Sequence, residues 1–383
     1  MTRRVFLHIG AMKTGTTYLQ KVMLRNREAL ADAGVLFPVG PGGWRLQVDG
    51  VRYLTGANAG ETTRLHERAW ENLRWQLLDH PATSVVSMEF LSFADVATAG
   101  EFVSRLDGAE VHVVLGLRDT SRIVPALWQE SARNHGIQPW HRFLADLTAE
   151  PVDRSTRAWK RFLRGQDVPR MLEAWLAHVP AERLTVVTVP PRGSAPDLLW
   201  RRFAGVVGLD PAVASDLPTP ANESLGHASA ELARRVNQAI GDDRSRSVHR
   251  ASTAVLAKTV LVRRNQDEEP VRGDASLREF GARWNRVVRD AVVEAGVHVA
   301  GDLDDLPVVP GDGPAEVSRP TRQELLAAAA FAVAGLRAEI GAAGGTFAGP
   351  DDWSDEPEPV KAAVRTVVDA VRTLAEVKDA EQG

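Results

Sequence analysis

The sequence predicts an α/β fold, a parallel sheet flanked by helices, with a helical extension at its C-terminal end. Three observations carry this. Short apolar runs alternate with helical patterns, the first run opens directly into a glycine-containing loop, and the composition changes after a proline- and glycine-rich stretch near residue 310. Strands of a parallel sheet are covered on both faces, so they read as near-continuous apolar runs rather than alternating ones.

Residues 5–9 (Val-Phe-Leu-His-Ile) form the first run. Leu19, Val22, Met23 and Leu30 then recur at helical spacing, and Gly34 closes that helix. Buried strands are expected again at 84–88, 111–117 and 184–189, separated by helices at about 97–106, 121–134 and 168–178. Segment 38–66 opens on Pro38, Gly40, Pro41, Gly42 and Gly43 and shows neither period. It is expected to be loop, either a surface insertion or a substrate lid. Helical runs follow at 226–240, 249–262 and 276–295.

The expected division is one α/β domain over 1–305, a linker over 306–320, and an acidic helical extension over 321–383 with 6 basic and 11 acidic side chains. In the extension, Leu325, Leu326, Ala329, Val333, Leu336 and Ile340 make one helical stripe. Val360, Val364, Val367, Val371 and Leu374 follow the 4-3-4-3 spacing of a coiled-coil seam. Two readings stay open: a helix packing back on its own domain, or a helix that pairs two copies of the chain as a homodimer.

Composition excludes several classes. The net charge of −4 offers no basic field to hold nucleic acid by counterion release. Cysteine is absent, which removes disulfides, thiolate nucleophiles and cysteine metal sites. There is no G-x-S-x-G elbow for a serine hydrolase and no H-E-x-x-H pair for zinc. The first apolar run is too short for a secretory segment, and no stretch reaches the roughly 18 apolar residues of a membrane helix. A cytoplasmic protein without a membrane span is expected.

The chemistry concentrates in residues 8–17 (His-Ile-Gly-Ala-Met-Lys-Thr-Gly-Thr-Thr). Gly10 and Gly15 allow tight turning and close backbone approach. The loop opens onto a helix N-terminus, where unpaired N–H groups and the dipole favour an anion. Thr14, Thr16 and Thr17 bring hydroxyls, and Lys13, one of only six lysines, brings a compact cation. This is a phosphate cradle of P-loop type, but it lacks the Walker order, in which glycine, lysine and a magnesium-binding hydroxyl follow in turn. The third long run ends Leu117-Arg118-Asp119, placing a cation where many nucleotidases carry a magnesium-binding aspartate. Both features point to a metal-free anion site.

Residues 6–20 resemble the 5′-phosphosulfate-binding loop of the sulfotransferase superfamily, in the unusual order lysine-x-glycine-threonine-threonine after a first strand. The resemblance implies that the donor 3′-phosphoadenosine 5′-phosphosulfate is the co-substrate, with no metal. Lys13 would contact its bridging region, and Thr14, Gly15, Thr16 and Thr17 would cradle the 5′-phosphate. Residues 114–129 resemble the family's 3′-phosphate-binding strand and helix. There Arg118 matches, whereas the expected serine eight residues on is Ala126. Ser121 either replaces that serine or caps the helix. Residues 85–92 are similar to the segment in which carbohydrate sulfotransferases place a glutamate base. Glu89 takes that place, or is a strand-end carboxylate. Asn222, before a helix, is similar to a family element near the nucleotide or is an N-cap. His66, His135 and His141 are reserve bases.

The resemblance, which covers 1 to about 305 at the level of element order, implies sulfuryl transfer to a hydroxyl or amine of a small molecule or glycan. Lys13 and Glu89 would be its catalytic residues, and Arg118 would select the 3′-phosphorylated nucleotide. A non-catalytic nucleotide-binding scaffold of the same fold, or a small-molecule kinase, are the competing readings.

Overall fold

The computed structural model describes residues 3–55, 64–218, 224–243 and 245–381. It divides into two compact units. Unit 1 comprises Met1–Ile123, Trp159–Pro220 and Glu279–Gly311, and unit 2 comprises Val124–Ala158, Ala221–Arg278 and Asp312–Gly383.

Unit 1 holds a parallel sheet of six strands among the described residues. They are β1 (Arg4–Gly10), β2 (Val35–Leu36), β3 (Thr83–Ser87), β4 (Glu110–Leu117), β5 (Leu184–Thr188) and β6 (His298–Ala300), in the order β2-β3-β1-β4-β5-β6. In register, Val5 lies opposite Ser84 on one side and Val111 on the other. The α/β fold with its parallel sheet is thus as the sequence indicates. The four long strands coincide with the apolar runs because all but one residue of β1 and every residue of β3 are buried. β2 and β6 are two and three residues long, too short to show a period, and sequence reading misses them.

One face of the sheet is covered by the helix Thr16–Arg25, whose Leu19, Val22 and Met23 join Phe37, Trp200 and Phe203 in a buried cluster. The segment expected as loop is corrected in part. Arg45–Thr55 is a helix that buries Gln47, Gly50, Val51 and Leu54. These positions have helical spacing, which the preceding proline and glycines obscured. Residues 56–63 lie outside the described residues.

His8 in β1 is 1% exposed, and its Nδ1 lies 2.8 Å from Ser87 Oγ. Burial pushes its pKa from 6.5 down to about 4. The folded state therefore keeps this imidazole neutral, and its contribution is complete above the unfolded pKa of 6.5. Stability is lost as pH falls from 6.5 through about 4, because only the unfolded chain takes up the proton there. Between pH 7 and pH 4.5 this term amounts to roughly 2–3 kcal/mol at ~1.4 kcal/mol per pH unit. Urea melts at the two pH values should show that much less acid destabilisation in His8→Asn than in the parent chain. Equal slopes would place the acid sensitivity elsewhere.

Unit 2 is helical over its regular elements, with Trp140–Thr148, His227–Ile240, Arg322–Ala342 and Pro359–Ala380 as its long helices. The run expected at 249–262 is instead a short helix, Arg246–Arg250, continuing into a π-helical stretch, Ala251–Val260. Helices Arg322–Ala342 and Pro359–Ala380 pack on each other and on His227–Ile240. Leu325, Val333, Leu336 and Ile340, and Val364, Val367, Val371 and Leu374, are buried there. The coiled-coil-like seam is therefore filled from within the chain. Helix Arg322–Ala342, which starts in a Thr321–Glu324 capping box, is long and apolar enough to cross a membrane by length and composition only. Its alanines carry the average, and one face of it is buried in unit 2.

Residues 124–158 and 221–278 pack in the same compact unit as the tail. Three of the passages between units fall inside the continuous helices Thr120–Arg133, Arg157–Gln166 and Ala275–Ala295. An uninterrupted helix carries no change of composition to mark such a boundary.

Candidate functional site

The strand order reverses at β1, with β3 on one side and β4 on the other, and loops leaving such a switch point diverge to open a crevice. The glycine-containing loop leaves β1, a 3-10 turn Glu89–Phe93 follows β3, and Arg118 follows β4.

The loop is held by its own backbone. Ala11 N–H donates to Gly116 O (2.9 Å) and Met12 N–H to Gly165 O (3.3 Å). Gln166 Nε2 donates to Met12 O (2.6 Å) and Arg118 Nη1 to Lys13 O (3.0 Å). Lys13 and Gly15 take φ values of 64° and 87°. Gly15 caps the helix Thr16–Arg25 with no side-chain acceptor, so no protein side chain covers the N–H groups of that helix start at the cap. The φ of 87° favours glycine at position 15, and a Cβ there would also press on the tip of Leu199, 2.5 Å from its Cδ2.

The threonines separate into different roles. Thr14 is 1% exposed, and its hydroxyl donates to Ala11 O at 2.6 Å, bracing the loop from within. Gly116 makes room for it, since a Cβ there would lie 2.6 Å from Thr14 Oγ1. Thr16 is buried, and its Oγ1 has no hydrogen-bond partner. An unsatisfied buried hydroxyl costs about 1–3 kcal/mol, which an anion at the helix N-terminus would relieve. Thr17 is exposed.

At the end of β4, the Nε atoms of Arg118 and Arg122 are also buried without a partner. Burial, then the neighbouring Arg122 and Arg192, push the Arg118 pKa down to about 10, with Asp119 opposing. Burial and Arg192 lower Arg122 in the same way, with Asp119 and Asp305 opposing. Arg122 Nη1 is oriented by Pro190 O at 2.9 Å. Arg118 and Arg122 thus each keep an unused Nε donor, with the like charge of Arg192 nearby, which makes this a candidate second anion position. Arg122 and Arg192 escaped the sequence reading. The signal for Arg122 is its place four residues after Arg118 at a helix start, and Gly116 is readable as an isolated strand glycine where another backbone approaches.

Ser121 is differently employed. Its hydroxyl donates to Asp119 Oδ2 and its N–H to Asp119 Oδ1 at 3.0 Å. Asp119 Oδ1 further accepts from Asn285 Nδ2 (2.9 Å), and Asn285 Oδ1 accepts from Thr120 N–H (3.0 Å). Ser121 is not itself the cap: it is the second residue of the helix Thr120–Arg133, and the carboxylate of Asp119 receives both its N–H and its hydroxyl. Ala126 lies further along the same helix and supplies no hydroxyl.

Glu89 lies against the loop, since a Cβ on Gly10 would be 3.5 Å from its Cα and Cβ. Its carbonyl accepts from Ser92 Oγ at 2.6 Å. Arg170 clamps the rest of the turn, donating to Ser92 O (2.6 Å) and Ala94 O (2.8 Å). Lys13 and Glu89 thus stand on loops leaving adjacent strands. Among the reserve bases, His66 Nε2 is 4.0 Å from Asp49 Oδ1 in unit 1. His135, in unit 2, stacks on His249 with ring centroids 4.3 Å apart, and His141 is in unit 2 as well. Asn222 lies outside the described residues.

Fold and site together define an α/β protein with two candidate anion positions at the switch point of a parallel sheet. No family model and no curated protein matches the chain. Among solved structures it is similar to a sulfotransferase from Alicyclobacillus acidocaldarius, at 14% identity and a TM-score of 0.38, over 65% of this chain and 100% of that one. So loose a likeness leaves the assignment to the residues themselves.

Proposed function

We propose that the chain moves a sulfuryl group from 3′-phosphoadenosine 5′-phosphosulfate to a hydroxyl or amine of a small molecule or glycan. The observation that carries this reading is the pair of separate anion positions flanking β1 and β4. One is the uncapped helix start with the orphaned Thr16 Oγ1, and the other is the Arg118–Arg122–Arg192 cluster. Two such positions match a nucleotide phosphorylated at both 5′ and 3′ better than they match a 5′-polyphosphate.

In the in-line step, an acceptor lone pair attacks sulfur while the bond from sulfur to the 5′-phosphate oxygen breaks. Charge spreads over the transferring oxygens, so positioning and electrostatics carry the catalysis. Lys13 and the N–H groups of residues 15–17 stabilise the departing phosphate, Glu89 takes the acceptor's proton, and Arg118 with Arg122 and Arg192 selects the 3′-phosphate. Asp119 is disfavoured as the magnesium ligand of a kinase because its carboxylate already accepts from Ser121 and Asn285. The scaffold reading keeps one observation in its favour, Ala126 at the expected serine position.

Adenosine 3′,5′-bisphosphate is expected to bind in the presence of EDTA and to raise the melting temperature by linkage. Sulfate from labelled donor should appear on members of an acceptor panel. Binding that requires ATP and magnesium would point to the kinase, and donor binding without any turnover to the scaffold.

A further inference from the structure

Beside Glu89, two cations rest on aromatic faces without using their hydrogen-bond donors. Phe90 and Phe93, on the same 3-10 turn as Glu89, stack with centroids 5.8 Å apart. Arg52, from the helix Arg45–Thr55, places its Cζ 5.3 Å from the centre of the Phe90 ring. Arg164, from the helix Arg157–Gln166, places its Cζ 4.5 Å from the centre of the Phe93 ring. Among the described residues neither arginine has an ion-pair or hydrogen-bond partner. A guanidinium whose charge rests over a ring, with no protein acceptor taking its donors, keeps N–H groups for a planar anion.

Their position ties them to the candidate site. Phe90 follows Glu89 directly. Arg164 precedes Gly165, whose carbonyl receives the Met12 N–H of the donor loop and whose Cα faces Met12 so closely that a Cβ would lie 3.0 Å from its Sδ. One guanidinium is therefore anchored on the ring next in sequence to the residue read as the base, and the other on a ring of the same turn, from a residue whose neighbour Gly165 touches the loop read as the donor cradle. Arg170 is occupied with the carbonyls of Ser92 and Ala94, so it fixes the turn and leaves the two free edges to Arg52 and Arg164.

We propose that Arg52 and Arg164 select an acceptor that already carries an anionic group, a carboxylate or an ester sulfate, close to the hydroxyl or amine that is modified. The inference rests on the sulfuryl-transfer reading for its word "acceptor", but the anion preference itself is measurable without turnover. The two arginines are specificity residues here, since neither is placed at the reacting atoms.

The test uses three matched probes: 4-methylumbelliferyl β-D-glucoside, its 6-O-sulfate and the corresponding β-D-glucuronide. Binding is measured calorimetrically to the full chain, with and without saturating adenosine 3′,5′-bisphosphate. Both anionic probes are expected to bind about tenfold or more tightly than the glucoside, the scale of one charge-assisted contact. The relative strengths of sulfate and carboxylate show which anion the pair prefers. The double variant Arg52→Gln, Arg164→Gln should abolish the preference and keep bisphosphate affinity and melting temperature near those of the parent, and Arg→Lys at both positions should restore part of it. Equal binding of the three probes, no binding of either anionic probe at millimolar concentration, or a preference that survives the double variant would overturn the proposal. Failure of bisphosphate to bind would instead sink the donor reading, and the nucleotide-free titration would still decide the anion preference.

Discussion

Glu89→Gln is expected to lower turnover by about 100-fold or more, the usual scale for removing a general base. Affinity for adenosine 3′,5′-bisphosphate should stay within about twofold, because an interaction made only in the transition state leaves ground-state binding alone. The backbone supports this separation. Glu89 is positioned through its main chain, by Ser92 Oγ on its carbonyl, by contact with Gly10 and by the Arg170 clamp further along the turn. These main-chain restraints persist in the amide, so Glu89→Gln should keep the turn in place while removing the basicity. A purely structural role predicts the reverse pattern, a lowered melting temperature with most of the rate retained. A stable, nucleotide-binding and fully active Glu89→Gln protein would sink the assignment and turn attention to His66 and His135.

The second large effect concerns Arg118. Arg118→Ala should weaken adenosine 3′,5′-bisphosphate by about 1.5–3 kcal/mol more than it weakens adenosine 5′-phosphate, the value of a charge-assisted contact. The comparison is needed because Arg118 has one job visible in the structure and a second that is proposed. Its Nη1 supports the donor loop at Lys13 O, and losing that support should affect both nucleotides alike. Its buried, unpartnered Nε, in the repelling company of Arg122 and Arg192, is the part that a 3′-phosphate would satisfy. Only the difference between the two nucleotides reports the second job. Equal losses would confine Arg118 to supporting the loop and transfer the 3′-phosphate role to Arg122 and Arg192.

Much of the site was legible because its elements are local. The order of glycine, lysine and threonine around residue 13, directly after an apolar run, places the loop on a helix N-terminus without any tertiary information. Arg118 could likewise be read at the end of its strand. Ser121 and Thr14 show the limit of such reading. Both carry hydroxyls at positions where a phosphate ligand is plausible, but Asp119 engages one and Ala11 O the other. Which acceptor a hydroxyl meets is set by neighbours distant in sequence, here with Asn285 fixing Asp119 and Gly116 admitting Thr14.

By itself, then, the sequence determined the parallel α/β sheet, its four long strands and the loop to which the proposed anion chemistry is assigned. Each of these follows from apolar periodicity or from φ and capping preferences within a few residues. Tertiary structure alone decided three further matters. It gathered Arg118, Arg122 and Arg192 into one basic cluster. It set Arg52 and Arg164 on the rings of Phe90 and Phe93. It also joined the tail to residues 124–158 and 221–278 in one unit. These arrangements rest on contacts between segments far apart in the chain, where burial and charge depend on which surfaces meet, and no local pattern records that.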